Sequence, residues 1–108
     1  MYRAIPSADL IALARQSPCW LAQFQPTACQ GEVQLCHLIK QQRLRDYHVP
    51  EEAIWDQRVL VPGCERHHNA LDKTRTLRVP RVALPPEVEE YAAEHQLLWS
   101  LDRDYGEL

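Results

Sequence analysis

The chain has 108 residues, 45% of them hydrophobic and 25% charged, with a net charge of −3. Those proportions are ordinary for a globular protein, and the length fits one small domain over residues 1–108 with a thin core. No long apolar run follows the initial Met. The longest early one, Leu10 to Ala14, is far too short for a membrane span or a signal sequence, so a cytoplasmic protein with no membrane partner is expected.

Four cysteines without a secretory signal favour metal binding or reduced thiols over a disulfide framework. The acidic total argues against a high-affinity nucleic-acid binder, but the cations are grouped. Lys40, Arg43 and Arg45 form one cluster, and Lys73, Arg75, Arg78 and Arg81 another, while carboxylates gather at Glu51–Glu52 and in the last quarter. A locally basic face can hold phosphates on an acidic molecule.

In chain order, Ser7 has the character of an N-cap and Asp9 suits the first turn, which predicts a helix over about 7–16, ended by Ser17–Pro18. Residues 18–31 carry Pro18, Cys19, Pro26, Cys29 and Gly31 and read as an irregular loop with two thiols. Alternation from Val33 to Ile39 predicts a strand with Val33, Leu35, His37 and Ile39 on one face. A polar helix or turn over Lys40 to Tyr47 and a short helix from Pro50 to about Trp55 follow. Arg58 to Val61 predicts a second strand ending at Pro62–Gly63, then a helix over Cys64 to Lys73. Thr76 to Leu84 reads as extended, with Pro80 allowing only an edge or irregular strand, and Pro85–Pro86 opens a last helix over about 86–98. The core order is strand, strand, helix.

The run from Cys64 to Asp72 carries the most chemistry. Cys64 and His67 have the C-x2-H spacing of a zinc half-site, and Cys19 and Cys29 would complete a Cys3His set. Buried, metal-free thiols are the bland alternative. His68 and Asp72 stand four residues apart on one helical face, and His67 and Asp72 point roughly 140° apart. One helix can therefore offer soft donors to one ion and harder donors to another. A histidine on a strand, His37, adds a general base to the metal-ligand pair, and together they suit phosphodiester hydrolysis; the alternative for His37 is a satisfied core histidine.

On these residues the chain resembles the HNH endonuclease family, the ββα-metal or His-Me finger. The matching segments are Cys19 and Cys29, Glu32-Val-Gln-Leu-Cys-His37-Leu-Ile, and Leu60-Val-Pro-Gly-Cys64-Glu-Arg-His67-His68-Asn-Ala-Leu-Asp72, a core over about 19–73. The resemblance implies an α+β fold, a ββα-metal core with a zinc-stabilised loop and flanking N- and C-terminal helices. It implies His37 as base, His68 and Asp72 as catalytic-metal ligands joined by Cys36, and structural Zn²⁺ on Cys19, Cys29, Cys64 and His67. The activity implied is a DNA endonuclease or nickase using Mg²⁺ or another divalent ion. Lys40, Gln41, Arg43 and Arg45, directly after the base, are the candidate DNA phosphate contacts.

Two positions depart from the family pattern. Val59 stands where an Asn precedes Leu-Val-Pro, with Asp56 the available substitute, and Cys36 is a soft donor poorly suited to Mg²⁺. Both keep a second reading open: an inactive, zinc-stabilised nucleic-acid-binding module. Leu-Pro-Pro-Glu-Val-Glu-Glu from Leu84 and the tryptophan-bearing tail resemble phage or prophage proteins of this family, so an accessory to phage DNA processing or packaging is a third.

Overall fold

A computed structural model describes residues 8–105. Its elements are α1 (Ala8–Gln16), β1 (Val33–His37), α2 (Gln41–Asp46), α3 (Glu51–Ile54), β2 (Leu60–Cys64), α4 (Glu65–Asp72), α5 (Pro86–Glu94) and α6 (Leu98–Asp104). Single 3-10 turns cover Trp20–Phe24, Gln57–Val59 and Arg81–Ala83. The result is a mixed α+β protein with one two-stranded antiparallel sheet, β1 against β2. The proposed cap Ser7 lies outside the described residues.

Two compact units divide the described chain: residues 37–60 with 80–105, and residues 8–36 with 61–79. The first is helical and well filled. Leu38, Ile39, Leu44, Ile54, Val59, Val88, Leu97 and Leu101 are buried, as are two tyrosines. Each tyrosine spends its hydroxyl on a carbonyl, Tyr91 on Ala53 at 2.7 Å and Tyr105 on Leu38 at 2.6 Å, so the rings are buried without an unpaired polar atom. Arg58 ties the Asp56 turn to α5, bonding Asp56, Glu90 and Glu94 with its guanidinium 5.4 Å from the Tyr91 ring centre.

The second unit buries less. Leu21, Leu77, Val61 and Val79 are its main aliphatic contributors, with Cys36, Cys64 and His67 among them. A core so short of large side chains leaves the cysteine cluster a structural role.

Several boundaries differ from the sequence expectation. The segment Gln57–Val59 is a 3-10 turn because Asp56 caps it, its Oδ1 accepting from the Arg58 N–H at 2.9 Å. The strand starts at Leu60 and runs through Pro62–Gly63 instead of stopping there. Two strands leave each with an open edge, where a missing N–H costs little. At Gly63 an added Cβ would lie 2.7 Å from both Cys36 Sγ and Leu21 Cδ1, so the glycine serves close packing. Residues 75–80 form no strand, although buried Leu77 and Val79 alternate with exposed neighbours. The C-terminal helix breaks after Glu94: Gln96 takes a φ of 60° and the Leu97 N–H caps Ala92 O at 2.7 Å, a left-handed helix stop. Alternation in β1 also carries a second message. Val33, Leu35 and His37 are half-buried, and the fully buried side chain is Cys36 on the opposite face.

Candidate metal centre

Cys64 ends β2 and caps α4, its Sγ accepting from the His67 N–H at 3.4 Å. That cap fixes the first turn, and His67 one turn on is swung toward the thiols. Its Nδ1 stands 3.5 Å from Cys19 Sγ, 3.6 Å from Cys29 Sγ and 3.2 Å from Cys64 Sγ. All four donor atoms lie within 4.8 Å of one another. A tetrahedral ion with bonds of about 2.3 Å to sulfur and 2.0–2.1 Å to nitrogen separates S from N by about 3.6 Å, which these spacings match. Cys19, Cys29, Cys64 and His67 could hold a metal ion, and among the described residues they are the one such group of three or more.

Electrostatics and tautomer agree with that donor set. Burial alone would raise the Cys64 thiol, but hydrogen bonds from the His67 and Gln30 backbone and from the Cys29 and Cys19 thiols outweigh it and draw Cys64 below its ordinary value. Cys29, at the exposed rim, is pushed up to about 11, first by desolvation and then by hydrogen bonds and like charge from Cys64 and Cys19. Three thiols so close cannot all ionise unless a cation sits among them. Thr27 supplies the outer support: its carbonyl and hydroxyl both lie 3.1 Å from His67 Nε2, so Nε2 donates and Nδ1 carries its lone pair toward the sulfurs.

The loop bearing Cys29 is fastened to α4. The Arg66 N–H donates to Gln30 O at 3.0 Å and its guanidinium to Ala28 O at 3.2 Å. Gly31 makes this approach with a φ of 86°, and a Cβ there would fall 2.5 Å from that of Glu65.

On another face of α4, His68 and Asp72 meet as their spacing implies, Nε2 to Oδ2 at 3.7 Å. Two donors about 2.1 Å from one ion can be at most about 4.2 Å apart, so the pair fits a shared cation. Gln34 of β1 orients the ring: its Oε1 lies 2.9 Å from His68 Nδ1, which leaves Nε2 facing Asp72. Cys36 does not share this chemistry. It is fully buried, its Sγ bonded to the Gln34 and Gly63 carbonyls, and burial with like charge from Cys19, Asp72 and Cys64 pushes it up to about 12. A thiol held protonated in this way is a packed core group.

In the helical unit, His37 is anchored through Nε2 on Ile54 O at 2.7 Å and stacked edge-on against Trp55, ring centres 4.7 Å apart. Gln41 Nε2 lies 3.4 Å from Nδ1, which is therefore the ring's basic nitrogen. The other candidate phosphate contacts have distinct surroundings. Arg43 is turned inward, bonding Ser100 Oγ at 2.7 Å and pairing with Asp104 beneath Trp99. Arg45 makes an exposed pair with Glu51, and Lys40 precedes α2. Asp56, the available stand-in for the missing Asn, is occupied by Arg58 and held well ionised; burial opposes this but the Arg58 hydrogen bonds prevail.

Sequence reasoning missed Gln34 and Thr27. Strand alternation offered a signal for Gln34, which shares a face with Cys36, whereas Thr27 sits in a loop whose spacing carries none. No helix among the described residues is long and apolar enough to cross a membrane. No protein-family model, curated protein or solved structure matches the chain.

Proposed function

We propose that the protein is a metal-dependent DNA endonuclease or nickase of the HNH kind, its ββα core stapled by zinc on Cys19, Cys29, Cys64 and His67. The observation that carries this reading is the division of labour on α4: His67 joins three thiols while His68 and Asp72, one residue and five residues on, form a separate pair braced by Gln34. A purely structural zinc site has no need of the second pair.

In this reading His68 and Asp72 would hold a divalent ion, Mg²⁺ or a relative, which supplies charge stabilisation to phosphate oxygens when bound. His37 is the base. With Nε2–H held on the Ile54 carbonyl, Nδ1 takes the proton of a water whose oxygen bonds to phosphorus as the bond to the 3′ oxygen breaks and that oxygen leaves with a proton from solvent. Gln41 orients the ring, and Lys40 and Arg45 are the cations after the base that suit flanking phosphates.

The inert character of Cys36 and the valine at 59 favour one rival, a zinc-stabilised nucleic-acid-binding module that does not cleave. Supercoiled-plasmid nicking with Mg²⁺, Mn²⁺ or Ni²⁺ separates the two. Cleavage that falls by about 10²–10⁴ in His37→Ala, at unchanged zinc content, supports the nuclease. A folded, zinc-loaded parent that leaves the plasmid intact with all three metals supports the rival.

A further inference from the structure

We propose that the segment following α4, Lys73 to Arg78, is a DNA-backbone contact surface that flanks a hydrogen-bonding cleft on the cysteine unit, separate from Lys40 and Arg45. Between Arg66 and Arg78 there are four cations against one carboxylate, Asp72. Lys73, Arg75 and Arg78 are exposed, and none has a salt bridge or side-chain hydrogen bond among the described residues. Cations left unpaired on so short a segment suit a polyanion.

One backbone feature guides the choice of variant, and one further observation sharpens the proposal. Arg75 is held at a φ of 56°, a left-handed conformation that Gly or Asn adopts with less strain. His48 and Gln96 hold the same conformation, so this bears on how residue 75 can be substituted and not on its role. Beside the segment lies a cleft of about 620 Å³ whose walls carry Gln25, Gln30, Asn69 and Thr76 together with one carboxylate, Glu65, and one cation, Arg66. Side-chain amides and hydroxyls offer donors and acceptors together, the complement of a base edge or a sugar. A lipid surface is the less suitable partner: among the described residues the large exposed hydrophobic side chains are Leu13, Tyr47, Val82, Leu98 and Trp99, and none belongs to residues 64–79. The choice of DNA among nucleic acids rests on the nuclease reading; contact with a phosphate backbone does not.

The test uses the full chain, a fluorescein-labelled 20-base-pair DNA duplex read by anisotropy, and vesicles of phosphatidylcholine with phosphatidylserine. The variant Lys73→Gln/Arg75→Asn/Arg78→Gln removes the charges while Asn keeps residue 75 in a conformation it tolerates, and zinc content with circular dichroism verifies the fold. Three lost phosphate contacts flatten the salt dependence, so between 50 and 200 mM salt the parent loses about 40-fold more affinity than the variant. Asn69→Ala leaves that slope unchanged and alters the preference among duplex sequences. Equal affinity and equal slope in parent and triple variant would overturn the proposal, as would vesicle binding without duplex binding. His37→Ala separates the two readings: duplex binding that follows the three cations while no protein cleaves upholds this surface and removes the nuclease.

Discussion

Replacing Cys64 by Ser and by Ala separates two jobs that the structure gives to one sulfur. Cys64 Sγ both caps α4, accepting from the His67 N–H, and stands among the metal donors. A lost N-cap costs about 1 kcal/mol, and Ser is itself a favoured cap, so capping alone would leave Cys64→Ser as stable as the parent. Losing the metal is a much larger perturbation. Structural zinc contributes about 10–16 kcal/mol at neutral pH, as much as the about 5–15 kcal/mol that holds a whole domain. Burying Leu21, Leu77, Val61 and Val79, the unit's main aliphatic side chains, contributes about 6–12 kcal/mol together, and that gain is already consumed by the chain entropy of ordering the unit. The parent should bind one zinc equivalent at the cysteine cluster and both variants well under one, measured with a chromophoric chelator. Hydrogen exchange should lose protection over 18–36 and 61–79 while residues 86–104, with their own core, keep it. A Cys64→Ser protein that retained zinc, or retained protection in the cysteine unit, would refute the reasoning.

Gly63→Ala should destabilise the cysteine unit by about 1–3 kcal/mol, because the new methyl meets Cys36 and Leu21 inside a filled core. Denaturant melts of Gly63→Ala, Cys36→Ala and the double variant should give a positive coupling, and additive losses would count against the packing assigned to Gly63. Burial, with the charges of Asp56 and Glu94, pushes the Tyr91 hydroxyl up to about 12 from its ordinary 10, despite the opposing Arg58 charge. The neutral form is thus favoured by folding, and the stability this confers is complete below pH 10 and lost as pH rises toward 12. Tyr91→Phe should cost about 1 kcal/mol at neutral pH and show a flatter alkaline decline in urea unfolding; an unchanged decline would contradict the burial argument. Arg43→Ala should lower stability by about 1–3 kcal/mol through the pair with Asp104 and the Ser100 bond, whereas Arg45→Ala should alter DNA affinity with little change in melting. Equal melting losses in the two variants would show that Arg43 is not the structural member of the pair.

Periodicity was enough to anticipate what depends on near neighbours. Four-residue spacing brought His68 to Asp72, three-residue spacing brought Cys64 to His67, and alternation placed β1. The helix over 86–98 failed at Gln96 because a left-handed stop needs no glycine, so no residue type announced it. Arg43 was legible as a cation but not as an internal one, since Ser100 and Asp104 lie 57 and 61 residues away. Cys36 was legible as a thiol but not as a protonated one, because its surroundings come from Leu21 and Gly63 as well as from its own strand.

The amino-acid order by itself determined the donor types, the two faces of α4 and the short helices and strands, because a helix repeats every 3.6 residues and a strand every two wherever it forms. Tertiary structure alone decided which donors converge. Cys19 and Cys29 reach His67 across 48 and 38 residues, through the turn at Gly31, the loop pinned by Arg66 and the support from Thr27. Such contacts are fixed by packing and backbone hydrogen bonding between distant segments, and no local period encodes them.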